Sequence, residues 1–178
     1  MNDTSRDDIL YTNEDFIQLQ NSLLDKNCVG TPEQCQFIFF ISFICLISFF
    51  YAIYRKYYYL APVPGSVFLT SLNYWKKPRY NSWERHLDMS VVGIALLYQS
   101  YFALKSNMRV YYFFTIFLAI ICYLISKTYV YISERYLTNI NDNIYKKNKL
   151  KWIAIYYHAG LHILANAANI ILYSGKIG

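Results

Sequence analysis

Phe37 to Tyr54 reads FIFFISFICLISFFYAIY, eighteen residues without a charge, and Arg55 and Lys56 close the run. As a helix rising ~1.5 Å per residue, it covers most of the ~30 Å hydrocarbon core of a bilayer. Three further apolar runs follow: residues 88–104 (DMSVVGIALLYQSYFAL), 110–126 (VYYFFTIFLAIICYLIS) and 152–173 (WIAIYYHAGLHILANAANIILY). Composition agrees with a bilayer setting: 56% of the 178 residues are apolar, 20% are aromatic and only 16% are charged. Soluble domains of this size carry a larger charged share and break their apolar residues into short periodic stretches. The expected fold is therefore all-α, a multi-pass transmembrane helical bundle of about four spans in residues 36–178. An acidic, loosely ordered tail, residues 1–35, precedes it.

The connections add detail. After Arg55 and Lys56, Pro62, Pro64 and Gly65 interrupt a continuous helix. Val67, Phe68, Leu72 and Trp75 then recur at helical spacing, which predicts a short helix over about 66–75 lying in the membrane interface. Lys105 to Arg109 is so short a link that the second and third spans form a tight hairpin of antiparallel neighbours. Residues 127–151 are polar, with a turn near Asn139 to Asn143.

Charge is segregated along the chain. Met1 to Cys35 holds seven acids against two bases, and the remainder holds fifteen bases against four acids. The bases sit beside apolar runs, where they orient the protein and meet anionic lipid headgroups. No nucleic-acid motif accompanies them, so nucleic acid is not an expected partner. With four spans, the loops at 55–87 and 127–151 gather twelve Lys and Arg against five elsewhere. The positive-inside bias then puts those loops in the cytoplasm and both termini on the non-cytoplasmic side. No basic n-region opens the chain, so a cleaved signal is not expected. In that topology Cys28 and Cys35 could form a disulfide if their compartment is oxidising, or stay as two thiols. Asn2-Asp3-Thr4 fits a glycosylation acceptor.

Polar residues inside spans cost energy unless they face the bundle interior, and here they form stripes. His158, His162, Asn166, Asn169 and Tyr173 step along one face of the last span, and Gln99 lies on one face of the second with Asp88, Ala95 and Phe102. Ser42, Cys45, Ser48 and Ala52, and Thr115, Ala119, Cys122 and Ser126, make small or weakly polar seams suited to close helix packing. Such a polar face can be packing glue. It can also be a site, because two His four apart on a helix can reach one metal ion, with Asp88 or His86 as the third ligand to zinc. No Glu follows His158, so the helical zinc-protease signature is missing.

The stretch Ser71 to Trp75, the stretch Leu87 to Ile94 and the late His158-Ala159-Gly160-Leu161-His162 together resemble the layout of the CREST membrane hydrolase superfamily. That group includes alkaline ceramidases, hemolysin III proteins and progestin and adipoQ receptors. The resemblance implies a zinc-dependent hydrolase of lipid amides, with Ser71, Asp88, His158 and His162 in the matching positions. Trp75 stands where the family has its first His, and the family has seven spans.

The chain is nearly all spans and short loops, with no Gly-rich phosphate loop and no nucleophile triad in its sequence. The expectation is a non-enzymatic structural or assembly subunit of a larger membrane complex or virion membrane, with other membrane-protein subunits as partners and no cofactor. The alternatives are an intramembrane metal-dependent lipid amide hydrolase and an oligomeric channel or carrier.

Overall fold

The computed structural model describes residues 29–135 and 143–178. Residues 1–28, with Asn2 and Cys28, and residues 136–142 lie outside the described residues, so the Cys28–Cys35 pairing and most of the expected turn near Asn139 to Asn143 lie outside them too.

The described residues form six helices: α1 (Pro32–Ile41), α2 (Ile44–Tyr54), α3 (Pro62–Trp75), α4 (Trp83–Leu104), α5 (Arg109–Arg135) and α6 (Asn143–Ser174). Among the described residues there is no strand, only an isolated bridge between Ser106 and Ile177. Among the described residues three stretches are long and apolar enough to cross a membrane: the rod Pro32–Tyr54 made by α1 and α2, then α4, then α5. α6 is 32 residues long, but its His and Asn face lowers its mean hydropathy below the other three.

Local chemistry accounts for the boundaries. Thr31 caps α1 in a capping box: its hydroxyl accepts from the Gln34 N–H and the Gln34 side chain accepts from the Thr31 N–H, with Pro32 in the first turn. The rod kinks at Ser42 and Phe43. There the Ser42 hydroxyl donates to the Ile38 carbonyl at 3.0 Å and Phe43, Cys45 and Leu46 bond three residues back, tightening one turn. α2 ends in a Schellman turn, Tyr57 N–H donating to the Ala52 carbonyl and Lys56 N–H to that of Ile53, with Lys56 at φ 64°.

Pro62 and Pro64 do not interrupt the next helix, as the sequence suggests, but begin it. The first four N–H groups of a helix lack an internal partner, so a proline there forfeits nothing. α3 thus starts at Pro62 rather than near 66, and it buries Pro64, Ser71, Tyr74 and Trp75. It runs along the bundle. Leu60 and Ala61, just before it, pack with Ala52, Ala103 and Tyr173. Its last residues, Tyr74 and Trp75, pack with Cys35, Ile155 and Ala159.

The same two clusters mark the two ends of the molecule. Val29 N–H reaches the Pro78 carbonyl and the Gln34 amide donates to Asn148 at 3.0 Å. At the opposite end Arg55 donates to the Ser174 carbonyl at 3.0 Å and the Tyr57 hydroxyl to that of Gly175 at 2.6 Å. α5 and α6 pack along most of their lengths, and α5 buries Tyr112, Ala119, Ser126 and Ser133 at a seven-residue repeat. α4 makes few direct contacts with α5 beyond their turn. The hairpin expected to pack as neighbours is splayed, and the space between its arms is a cavity.

Candidate functional site

That cavity measures about 340 Å³ and lies between α3, α4, α5 and α6, with Cys45 of α2 at one wall. Its lining is mostly apolar, from Val63, Val67, Val92, Leu96, Ile116 and Leu161, with a few polar groups spread along α4 and α6: Asp88, Gln99, His158, His162, Asn166 and Asn169. An apolar chamber with a few placed polar groups, within the ~300–1,000 Å³ range of ligand pockets, is the usual form of a small-molecule site.

Five of these six polar groups touch a named neighbour. Asp88, one turn into α4, accepts from the Ser71 hydroxyl at 2.8 Å and from the Thr70 hydroxyl at 2.9 Å, both on Oδ1. Among the described residues Oδ2 receives no hydrogen bond, so the carboxyl keeps capacity for one more donor. On the facing helix, His158 and His162 stack one turn apart, their ring centroids 5.2 Å from each other. Asn166 ties α6 to α2: its Oδ1 accepts from the Ser48 hydroxyl at 2.5 Å, and its amide donates to the His162 carbonyl at 2.9 Å and to Cys45 Sγ at 3.4 Å. Gln99 bridges α4 to α6 by donating to the Tyr173 hydroxyl at 2.8 Å.

The sequence-derived candidates therefore divide. Asp88, His158 and His162 share one cavity wall. Asn166 and Gln99 are buried and bonded between helices, and Asn169 is buried on the cavity wall. His86 is exposed on α4 and takes no part. Thr70 was not signalled by spacing, because Ser71 beside it carried the motif. Cys45 was read only as a seam residue and is also a partner of Asn166.

A metal centre is a separate question of fit. Among the described residues no three His, Cys, Asp or Glu side chains form a group that could hold a metal ion. The reason is Trp75. Its indole packs edge-on against His158 with centroids 5.3 Å apart, and an indole N–H donates but has no lone pair to offer a metal. Asp88 is engaged by two hydroxyls instead. Trp75 therefore supplies no third ligand beside the His pair. No protein-family model, no curated protein and no solved structure matches the chain.

Proposed function

We propose that this chain is an integral membrane protein that receives an amphipathic, lipid-type molecule between its helices, without a metal-dependent reaction of its own. The observation that carries the reading is the 340 Å³ cavity, mostly apolar in its lining, with Asp88 and the His158–His162 pair among its few polar groups. A hydrocarbon chain suits the apolar part, and an O–H or N–H donor near the head of that chain suits the open Oδ2 of Asp88. The exposed Phe, Leu and Tyr side chains on α2, α4 and α5 are what lipid contact requires, so they give the assembly-subunit reading no support of their own.

The test uses Gly93, which lines the cavity and where an added Cβ meets nothing within 4 Å. Gly93→Phe fills the chamber without crowding the backbone. Protein purified in mild detergent and weighed intact retains about one lipid per chain as the natural protein and none as the variant. Equal retention by both overturns the reading. The hydrolase alternative has one favouring observation, the Ser71–Asp88 bond beside the His pair. Stoichiometric zinc that disappears with His158→Ala and His162→Ala would establish it in place of the present proposal.

The same reading takes the described residues through five crossings, with α3 as a short one of ~21 Å. Its support is the set of contacts joining Val29 to Pro78 and Arg55 to Ser174 at opposite ends. Twelve Lys and Arg then lie on the side of Pro78 and five on the side of Arg55. That is the same division as the four-span reading, so charge bias favours neither. The acidic tail comes to the cytoplasmic side, and Ser174 to Gly178 to the other.

A further inference from the structure

We infer that the lipid held in this cavity carries an anionic, phosphate-type headgroup, read by Arg85 and Lys127 in a small vestibule at the Pro78 end of the bundle. The inference rests on the lipid-binding reading above and names the class of lipid.

The vestibule, about 90 Å³, adjoins the larger cavity, with Asp88, Met89, Tyr123 and His158 lining both. Its distinctive residues are Arg85, Lys127, Lys151 and Tyr80. These cations are not equivalent. Lys151 is buried and paired with Glu134 at 3.5 Å, and Glu134 also meets Lys147. Arg85 and Lys127 form no ion pair among the described residues. Arg85 instead donates Nη1 to the Tyr80 carbonyl at 2.6 Å and lies over the Tyr80 ring, and Lys127 lies over the Tyr123 ring.

Two facts point to an absent anion. Arg85 and Lys127 line the vestibule with Lys151, which is paired to Glu134, and Asp88 is the one carboxyl in that lining, so positive charge is in excess at the cavity mouth. The Tyr80 hydroxyl is also buried there with no hydrogen-bond partner among the described residues, and orphaned buried hydroxyls are uncommon without a ligand or water. Burial pushes Tyr80 up to about 12, so it is a neutral donor at any physiological pH. Arg85, Lys127 and the Tyr80 hydroxyl thus line one small vestibule as donors, with the mostly apolar chamber beside it for a chain. Free phosphate shares the headgroup chemistry but leaves the chamber empty.

Intact-mass measurement of the full chain in detergent, titrated with single-chain lipids of matched length, tests this. The probes are one with a phosphate head, one with a phosphocholine head, and inorganic phosphate alone. The phosphate lipid is expected to bind about tenfold tighter than the phosphocholine lipid, and inorganic phosphate neither to bind nor to compete at equal concentration. Arg85→Gln and Lys127→Gln should each lose most of that preference by weakening the phosphate lipid severalfold more than the phosphocholine lipid, while Gly93→Phe should lose both lipids. Equal binding of the two lipids, a preference kept when Arg85 and Lys127 are both replaced, or competition by inorganic phosphate overturns the headgroup inference and leaves the cavity reading intact. A preference that survives Gly93→Phe assigns it to the protein surface and overturns the inference too. Failure of every lipid to bind overturns the cavity reading itself.

Discussion

Ser71 gives its one hydroxyl proton to Asp88 alone, whereas Thr70 shares its proton between Asp88 and the Val67 carbonyl. Ser71 is the stronger support of the two. Ser71→Ala is expected to cost about 1 kcal/mol, seen as a melting temperature lower by roughly 2–4 °C, with Thr70→Val costing less. Asn166 joins three partners in two helices, so Asn166→Ala should cost about 1–3 kcal/mol, measured the same way. Lys56 works in the other direction. It sits at φ 64°, where a side chain costs about 1 kcal/mol that glycine avoids, so Lys56→Gly should raise the melting temperature slightly. At this scale the sequence was informative wherever a polar residue sat in an apolar run. Asp88, His158, His162, Asn166 and Gln99 all announced inward faces by the cost of facing lipid. Which partner each would find was not legible, because Thr70 and Cys45 reach their partners across helices whose contacts no spacing encodes.

The helices repeat this pattern of clear existence and unclear edges. Three apolar runs suffice to predict the rod Pro32–Tyr54, α4 and α5, and the small-residue seam Ser42, Cys45, Ser48, Ala52 is buried throughout. α3 was placed too late because Pro62 and Pro64 were taken as breakers, and only their position within the first turn makes them compatible with a helix. The end of α6 shows the same dependence on context. Gly175 looks like an ordinary chain-end residue, yet an added Cβ there would meet Asn107 Oδ1 at 2.6 Å and Met108 Cγ at 2.8 Å. This segment docks on the α4–α5 turn, with Lys176 N–H donating to Asn107 Oδ1 at 2.8 Å and Gly178 N–H to the Lys105 carbonyl at 3.2 Å. Gly175→Ala should undo that dock at about 1–3 kcal/mol, with faster amide hydrogen exchange confined to residues 105–108 and 174–178 as its signature.

For the whole molecule, the sequence reading rejects a fifth crossing between Tyr57 and Trp75 on the ground that it breaks the alternation of basic loops, yet moving α3 across the membrane leaves the twelve-to-five division of Lys and Arg unchanged. A splayed α4–α5 hairpin was equally hidden, because a short link dictates adjacency at the turn and nothing farther along. Five crossings put Lys56 and Lys77 on opposite sides. Single-cysteine probes, Lys56→Cys and Lys77→Cys, should therefore react with an impermeant thiol reagent from opposite faces of a sealed vesicle, whereas four crossings would have both react from one face. The central claim is that a lipid chain enters the space between α4, α5 and α6. A fatty-acyl probe with a photoreactive group in mid-chain, cross-linked to the full-length protein in a bilayer and mapped by peptide mass, tests it most directly. The account predicts labels on Val92, Leu96, Leu161 and Ala165, which line the cavity. Labels confined to outward residues such as Ile94, Phe117 and Leu124 would contradict it.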